Sequence, residues 1–179
     1  MSDLVTVILA AGKGTRMKSA LPKVLHRVGG KSMLQHVLDA AKQAGSRRDI
    51  VVVGFGGEKV KEAMGDQAEF VVQKEQLGTG HAVQQTASLL AGETGTVMVL
   101  CGDTPLLTGD LLRKLYDAHK EAGAKATVLT AIMPDATGYG RIIRTATGTV
   151  AKIVEHKDAT EEERQVREAN SGLYCLEAS

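Results

Sequence analysis

The sequence predicts an α/β fold built on a mainly parallel sheet. Apolar runs rich in β-branched residues, such as 4–11 and 96–100, alternate with stretches whose apolar residues recur at helical spacing. Glycines follow the ends of several runs, as Gly12 and Gly54 do. This alternation is typical of strand–helix–strand units, in which ligands bind beside the carboxyl ends of the strands.

Each element is predicted from its own local pattern. Ser32 and Thr108 can cap helices because their hydroxyl groups accept hydrogen bonds from the first turn, and Gly45 can end a helix. The predicted strands are 4–11, 50–53, 70–73, 96–100 and 125–132, and the predicted helices, counted with their caps, are 32–44, 58–64, 79–90 and 108–119.

The pattern changes after Pro134. Segments 141–144 and 150–155 alternate in polarity around a glycine turn, as the two strands of a hairpin do. A charged helical piece at 161–168 and a last strand at 173–176 follow. The sequence therefore predicts a small antiparallel lobe in addition to the parallel half.

Composition excludes several classes of protein. The 179 residues suffice for one domain with a sizeable core, and 22 basic against 21 acidic residues leave a net charge of +1. A nucleic-acid or membrane-surface protein would carry a clear basic excess, so neither partner is expected. Cys101 and Cys175 lie far apart, which indicates the reduced thiols of a cytoplasmic protein. The histidines lack the paired spacing of metal ligands, and His81 is interpreted as a packing or supporting residue.

The loop after the first strand carries small residues and then cations. Two alanines and Gly12 let the backbone approach a ligand closely, and Lys13, Arg16 and Lys23 follow. A small, glycine-containing loop with cations at a strand end can hold the phosphates of a nucleotide. An ordinary turn with solvated lysines is the alternative, because a single glycine-rich loop is weak evidence.

Two common phosphate-binding motifs do not fit this loop. A Walker A loop needs Ser or Thr after its Gly-Lys pair, but Gly14 follows Lys13, and Val7 stands where the first glycine belongs. The dinucleotide fingerprint needs a third glycine where Met17 stands, and Pro22 would interrupt the helix that follows. The loop is therefore neither a P-loop nor a nicotinamide site.

Two polar residues have both a functional and a structural interpretation. Asp103 follows an apolar strand, where a carboxylate could hold Mg²⁺ or simply stabilise a turn, and the two interpretations have equal weight. The amide of Gln73, with backbone groups near Gly78 and Thr79, could pair with uracil, which offers one N–H between two carbonyl groups. Without further information, the structural interpretation of Gln73, a glutamine on the protein surface, is favoured.

Five motifs in order resemble one known family. They are residues 9–17 with 21–23, 73–82 (QKEQLGTGHA), 102–106 (GDTPL), 137–141 (TGYGR) and 153–160 (IVEHKDAT). Together they resemble the sugar-phosphate nucleotidylyltransferases, and within them the N-terminal uridylyltransferase domains of the bifunctional bacterial enzymes that make UDP-N-acetylglucosamine. The resemblance implies a Rossmann-like, mainly parallel sheet of the nucleotide-diphospho-sugar transferase type, with a small antiparallel sugar-binding lobe.

The resemblance also implies a reaction and its residues. UTP and N-acetylglucosamine 1-phosphate would give UDP-N-acetylglucosamine and pyrophosphate with Mg²⁺, in the cytoplasm, as a step of cell-wall precursor synthesis. Arg16 and Lys23 would be catalytic, Lys23 would also contact substrate, and Asp103 would hold the metal. The remaining substrate contacts would be Leu9, Ala10, Ala11, Gly12, Gln73, Gly78 and Thr79 on the nucleotide side and Gly140, Glu155 and Asn170 on the sugar side.

The resemblance also implies how much of the family's full-length protein this sequence covers. Residues 1–179 would form a uridylyltransferase domain that ends before the family's second metal ligand, an asparagine. The acetyltransferase β-helix, through which full-length relatives form homotrimers, would also be absent. Impaired turnover is therefore expected. Two other functions stay open: a related transferase with another nucleotide or sugar phosphate, and a non-catalytic module that binds sugar nucleotides.

Overall fold

The computed structural model describes residues 3–14 and 17–178, and the chain forms two compact units. The first unit contains the chain up to Thr127 together with the residues from Tyr174 onward, and the second contains Val128–Leu173. Two strands, β7 (Ala126–Ile132) and β10 (Glu168–Ala178), contribute residues to both units.

The first unit contains the mainly parallel sheet that the sequence predicts. Its parallel strands occur in the order β5-β4-β1-β6, and residues Tyr174 to Ala178 of β10 pair with β6 in the antiparallel direction. These strands are β1 (Leu4–Ala10), β4 (Arg48–Val53), β5 (Glu69–Val72) and β6 (Gly95–Cys101). A short hairpin of β2 (Arg27–Val28) and β3 (Lys31–Ser32) was not anticipated.

Strand β1 lies at the centre of this sheet. Val7 and Ile8, which point to opposite faces, are both fully buried, as expected of a strand covered on both sides. Leu9 pairs with Val52 of β4 and with Cys101 of β6. The carboxyl ends of the three strands therefore meet at one edge, where the sequence predicts a ligand.

Two helices of the first unit begin after the predicted caps. The Ser32 hydroxyl accepts a hydrogen bond from the Gln35 N–H at 3.2 Å, and the Thr108 hydroxyl accepts one from the Leu111 N–H at 3.3 Å. Gly123, with φ of 54°, ends the longest of the described helices. The helices are α1 (Met33–Gln43), α2 (Gly57–Met64), α3 (Thr79–Gln84), α4 (Ala87–Leu90) and α5 (Gly109–Ala122).

The prediction of a single helix over 79–90 is wrong. Helix α3 ends at Gln84 and α4 begins at Ala87. Between them, the Thr86 hydroxyl donates to the Val83 carbonyl at 2.6 Å, and the Thr86 N–H donates to the same oxygen at 2.9 Å. Threonine can compete with helical hydrogen bonds in this way, which local periodicity does not reveal.

The second unit contains the predicted hairpin. Strands β8 (Arg141–Arg144) and β9 (Val150–Val154) are antiparallel, and Ala169 of β10 pairs with Arg141 on the other side of β8. Helix α6 (Glu161–Arg164) is shorter than the predicted 161–168, and β10, which begins at Glu168, is longer than the last strand predicted at 173–176. Pairing of Ala169 with Arg141 extends the strand in a way that local sequence does not reveal. Arg141 is 2% exposed, and its guanidinium donates to the Val166 carbonyl at 2.9 Å.

The predicted fold class is confirmed: a mainly parallel sheet with helices, together with antiparallel pairs. Among the described residues, no helix has the length and apolar character that crossing a membrane would require.

Asp49, in β4, carries a buried carboxyl group that the fold disfavours in its charged form. The residue is 8% exposed, and its Oδ1 atom has no hydrogen-bond partner among the described residues. Burial raises the pKa of the Asp49 carboxyl group above its ordinary value. The free energy of folding therefore includes a cost whenever this group is ionised.

We expect Asp49→Asn to stabilise the protein at neutral pH but not in acid. Because the folded-state pKa of Asp49 lies above the unfolded one, the contribution of this group to stability is full below the unfolded pKa and is lost as pH rises through the folded pKa. Urea unfolding at about pH 4 and about pH 7 compares the free energies of unfolding of the two proteins. The difference between the two free energies of unfolding should be larger at neutral pH than in acid. A difference that does not depend on pH would contradict the raised pKa of Asp49.

Candidate active site

The backbone at the end of β1 is closely approached from both neighbouring strands. The Gly102 N–H donates to the Leu9 carbonyl at 2.9 Å, and a Cβ atom on Gly102 would lie 3.1 Å from the same oxygen. On the other side, a Cβ atom on Gly54 would lie 2.7 Å from the Ala11 carbonyl oxygen, closer than real Cβ atoms come. Glycine is therefore required after β4, and it fits best after β6.

Two of the three groups predicted to handle phosphate and metal are in contact. The Lys23 ammonium lies 2.6 Å from Oδ2 of Asp103, and each side chain is about one third exposed. Lys23 begins a 3₁₀ turn, Lys23–Leu25, whereas Asp103 follows β6. The strand order thus brings a cation and a carboxylate together from distant parts of the sequence. Arg16, the third predicted group, lies outside the described residues.

The geometry at Asp103 fits a weakly enclosed cation such as Mg²⁺. Across residues 3–14 and 17–178, no group of three or more His, Cys, Asp or Glu side chains could surround a metal ion. Magnesium usually takes one or two carboxylates and fills its other positions with water and substrate phosphates. A single accessible carboxylate at a strand end, held in place by Lys23, matches that requirement.

A cavity of about 320 Å³ lies beside the end of β1. Leu9 and Gln76 belong to its wall, and the Gln76 amide donates to the Ala11 carbonyl. Ala10 is buried in the strand at 4% exposure and does not line the cavity. The lining residues are Leu9, Ala11, Gly12, Gln73, Gln76, Gly78, Thr79 and Ala82. Apart from Ala10 and Lys23, every residue predicted to contact the nucleotide lines this cavity.

Gln73 is a buried residue of this cavity rather than a surface glutamine. It is 4% exposed, its amide nitrogen donates to the Gly78 carbonyl at 3.2 Å, and the same nitrogen lies 3.0 Å from Nδ1 of His81. His81 therefore contacts a side chain of the cavity wall without lining the cavity itself. Sequence reasoning did not identify Gln76, although its place between Gln73 and Gly78 in the QKEQLGTGHA motif could have drawn attention to it.

Cys101 lies at the end of β6, next to the predicted metal site. Burial raises the pKa of the Cys101 thiol, and the charge of Asp103 raises it further. The thiol is therefore protonated near neutral pH, which makes it a poor nucleophile.

In the second unit, the three predicted sugar contacts are neighbours. The Asn170 N–H donates to the Gly140 carbonyl at 2.8 Å. A Cβ atom on Gly140 would lie 3.3 Å from Oε1 of Glu155 and 3.5 Å from Cβ of Asn170. The cluster offers a carboxylate acceptor and an amide, and a side chain on Gly140 would crowd both.

A mainly parallel sheet with glycine-flanked strand ends, a Lys–Asp pair and a cavity of about 320 Å³ beside them are features that a nucleotide-binding domain of the transferase class requires. The chain belongs to the family of MobA-like NTP transferase domains, whose family model matches residues 6–168.

Individual relatives agree with this family. The chain is 57% identical, over 177 residues, to the N-terminal part of bifunctional protein GlmU of Bacillus cereus, and 56% identical to GlmU of Bacillus mycoides and Bacillus thuringiensis. These matches include 99% of this chain but 39% of each relative, so the chain spans about two fifths of their length.

A solved structure has the same fold. The structure of UDP-glucose pyrophosphorylase complexed with UDP-glucose superposes with a TM-score of 0.77 and 20% sequence identity, and the match covers 99% of this chain and 76% of that one.

We expect Gly14→Ala to weaken binding of a nucleoside triphosphate about tenfold. Gly14 has φ of 58°, and a Cβ atom there would lie 2.8 Å from Cβ of Lys23, so the loop or the lysine must move. Gly65→Ala is a matched control, because Gly65 has φ of 54° but no atom within 4 Å of its added Cβ. Calorimetric titration with UTP should separate the variants, and equal losses in both would contradict the prediction.

Proposed function

We propose that this chain transfers a uridylyl group from UTP to N-acetylglucosamine 1-phosphate, forming UDP-N-acetylglucosamine and pyrophosphate. The observation that best supports the proposal is the Lys23–Asp103 pair at the end of the strand beside the cavity, with its ammonium and carboxylate 2.6 Å apart. Leu9 links the two features, because it lines the cavity and its carbonyl accepts the Gly102 N–H. The likeness to GlmU supports the choice of substrates and a cytoplasmic role in cell-wall precursor synthesis.

The chemistry needs alignment and charge stabilisation rather than a general base. The attacking atom is a phosphate oxygen, which is largely ionised near pH 7 because the second pKa of a phosphate is about 6. The protein must bring two anionic reactants together and stabilise charge on the departing pyrophosphate. Lys23 would hold phosphate oxygens, and Arg16 would neutralise charge that develops during transfer.

Each group of residues has a separate role in this proposal. Asp103 would hold Mg²⁺, which supplies charge neutralisation to the phosphates when it is bound. The cavity wall at Leu9, Ala11 and Gly12 would receive the nucleoside, because small residues there leave its backbone accessible. The cluster of Gly140, Glu155 and Asn170 would contact the hydroxyl and acetamido groups of the sugar.

Pyrophosphate release tests the proposal directly. The purified chain is incubated with Mg²⁺, N-acetylglucosamine 1-phosphate and each of UTP, CTP, ATP and GTP in turn. Release with UTP alone supports the proposal, and release with another nucleotide would favour a related transferase. Binding of UDP-N-acetylglucosamine without release of pyrophosphate would favour a non-catalytic binding module, and the expectation of impaired turnover is tested by the rate itself.

We expect Arg16→Ala to lower kcat about a thousandfold, as loss of an arginine that stabilises a phosphoryl-transfer transition state does. Arg113→Ala, a substitution in α5, serves as the control for loss of a guanidinium group elsewhere. Steady-state kinetics with UTP measures both. A near-normal kcat in Arg16→Ala would remove Arg16 from the mechanism.

A further inference from the structure

Arg141 is a buried cation that the second unit surrounds with hydrogen-bond acceptors. It is 2% exposed, its Nε atom donates to the Val166 carbonyl at 2.9 Å, and its Nη1 atom donates to the Tyr139 carbonyl. The Nη2 atom lies 3.4 Å from both the Arg164 carbonyl oxygen and Nδ1 of His156. Burying a charge costs free energy unless hydrogen bonds replace those to water. These contacts therefore fix the guanidinium, and through it they join separate segments of the chain.

Two of these contacts lie next to predicted sugar-binding residues. Tyr139 directly precedes Gly140, and His156 directly follows Glu155. Gly140 and Glu155 are themselves close, because a Cβ atom on Gly140 would lie 3.3 Å from Oε1 of Glu155. The guanidinium of Arg141 thus contacts both of the segments that bring this glycine and this carboxylate together.

The third predicted sugar contact, Asn170, lies in a segment that Arg141 also contacts. Arg141 pairs with Ala169 in the sheet, and its side chain donates to the Val166 carbonyl at the start of the same segment. The Asn170 N–H in turn donates to the Gly140 carbonyl at 2.8 Å. Backbone and side chain of Arg141 therefore both attach the segment of Asn170 to the segment of Gly140.

The chemistry of the guanidinium suits this set of contacts. It presents five N–H donors in a fixed plane, so it can reach acceptors on several sides at once. A lysine ammonium is a compact charge with three donors at the end of a flexible chain, and it cannot reproduce that arrangement. An apolar side chain would leave buried carbonyl groups unsatisfied. The geometry of the cluster therefore depends on arginine at this position.

We propose that Arg141 is a positioning residue for the sugar, and that its guanidinium holds Gly140, Glu155 and Asn170 in the arrangement that binds the sugar part of the substrate. A cluster that is ordered in advance loses less conformational freedom on binding. Loss of the guanidinium should therefore weaken binding of the sugar part rather than of the nucleotide part. This inference rests on the proposed function, because it takes the cluster to be the sugar site.

Binding of UDP and of UDP-N-acetylglucosamine to Arg141→Lys tests the proposal without requiring turnover. Calorimetry with Mg²⁺ gives both Kd values, and the ratio of the Kd for UDP to the Kd for UDP-N-acetylglucosamine measures what the sugar adds to binding. We expect this ratio to fall about tenfold in Arg141→Lys, with the Kd for UDP close to that of the wild type. A wild-type ratio in the folded variant, or an equal loss of affinity for both ligands, would overturn the proposal.

Two other variants separate positioning from general damage. Arg144→Lys makes the same exchange in the same strand, where the exposed Arg144 donates to Glu168 at 2.7 Å, and it should leave the ratio unchanged. His156→Phe keeps a ring but offers the guanidinium no acceptor, and it should lower the ratio about threefold. If Arg141→Lys does not fold, an unchanged ratio in His156→Phe would overturn the proposal.

Hydrogen exchange of single amides, followed by NMR, checks the positioning in the absence of any ligand. The Asn170 N–H should exchange about tenfold faster in Arg141→Lys than in the wild type. The Gly102 N–H, which donates to the Leu9 carbonyl in the first unit, should exchange at the same rate in both. Equal exchange of the Asn170 N–H in the two proteins would overturn the proposal. Failure of the proposed function would look different, because the wild type would then bind UDP and UDP-N-acetylglucosamine equally while the difference in exchange remained.

Discussion

The structure depends on the close packing of backbone where three parallel strands end together. Strand β1 is flanked by β4 and β6, and glycines follow both neighbours at the level of Leu9 and Ala11. Side chains on Gly54 or Gly102 would press against carbonyl oxygens of the central strand. Because only backbone fits between these strand ends, no side chain there blocks the edge of the sheet from a ligand. Leu9 contributes both to the cavity wall and to the turn before Asp103, because its carbonyl accepts the Gly102 N–H.

Charge and hydrogen bonding at this edge are local features of a nearly neutral protein. The net charge is +1, yet Lys23 and Asp103 are held 2.6 Å apart at the strand ends, where phosphate and a cation would be expected. On the cavity side, the buried Gln73 amide nitrogen donates to the Gly78 carbonyl and lies 3.0 Å from Nδ1 of His81. Lys23, Asp103 and Gln73 are thus each held by a neighbour, which reduces the reorganisation that binding of a ligand would require.

Local patterns predicted the strands of the parallel sheet well, and the last strand, the β2–β3 hairpin and the helix ends less well. The apolar runs at β1, β4 and β6 were placed within two residues, because strands buried on both faces have few competing interpretations. The break between α3 and α4 escaped prediction, since it depends on the Thr86 hydroxyl rather than on periodicity. For Gln73, the pattern alone favoured a surface position, whereas packing buries it.

The sequence by itself determined the α/β class, the order of the elements and the residue types available at the strand ends, because these follow from periodicity and side-chain chemistry. Only the tertiary structure decided which of those residues meet. Lys23 and Asp103 are 80 residues apart, and the Gln76 amide donates to the Ala11 carbonyl, 65 residues away. Such contacts depend on strand order and register, and interactions between distant segments set these where local patterns cannot.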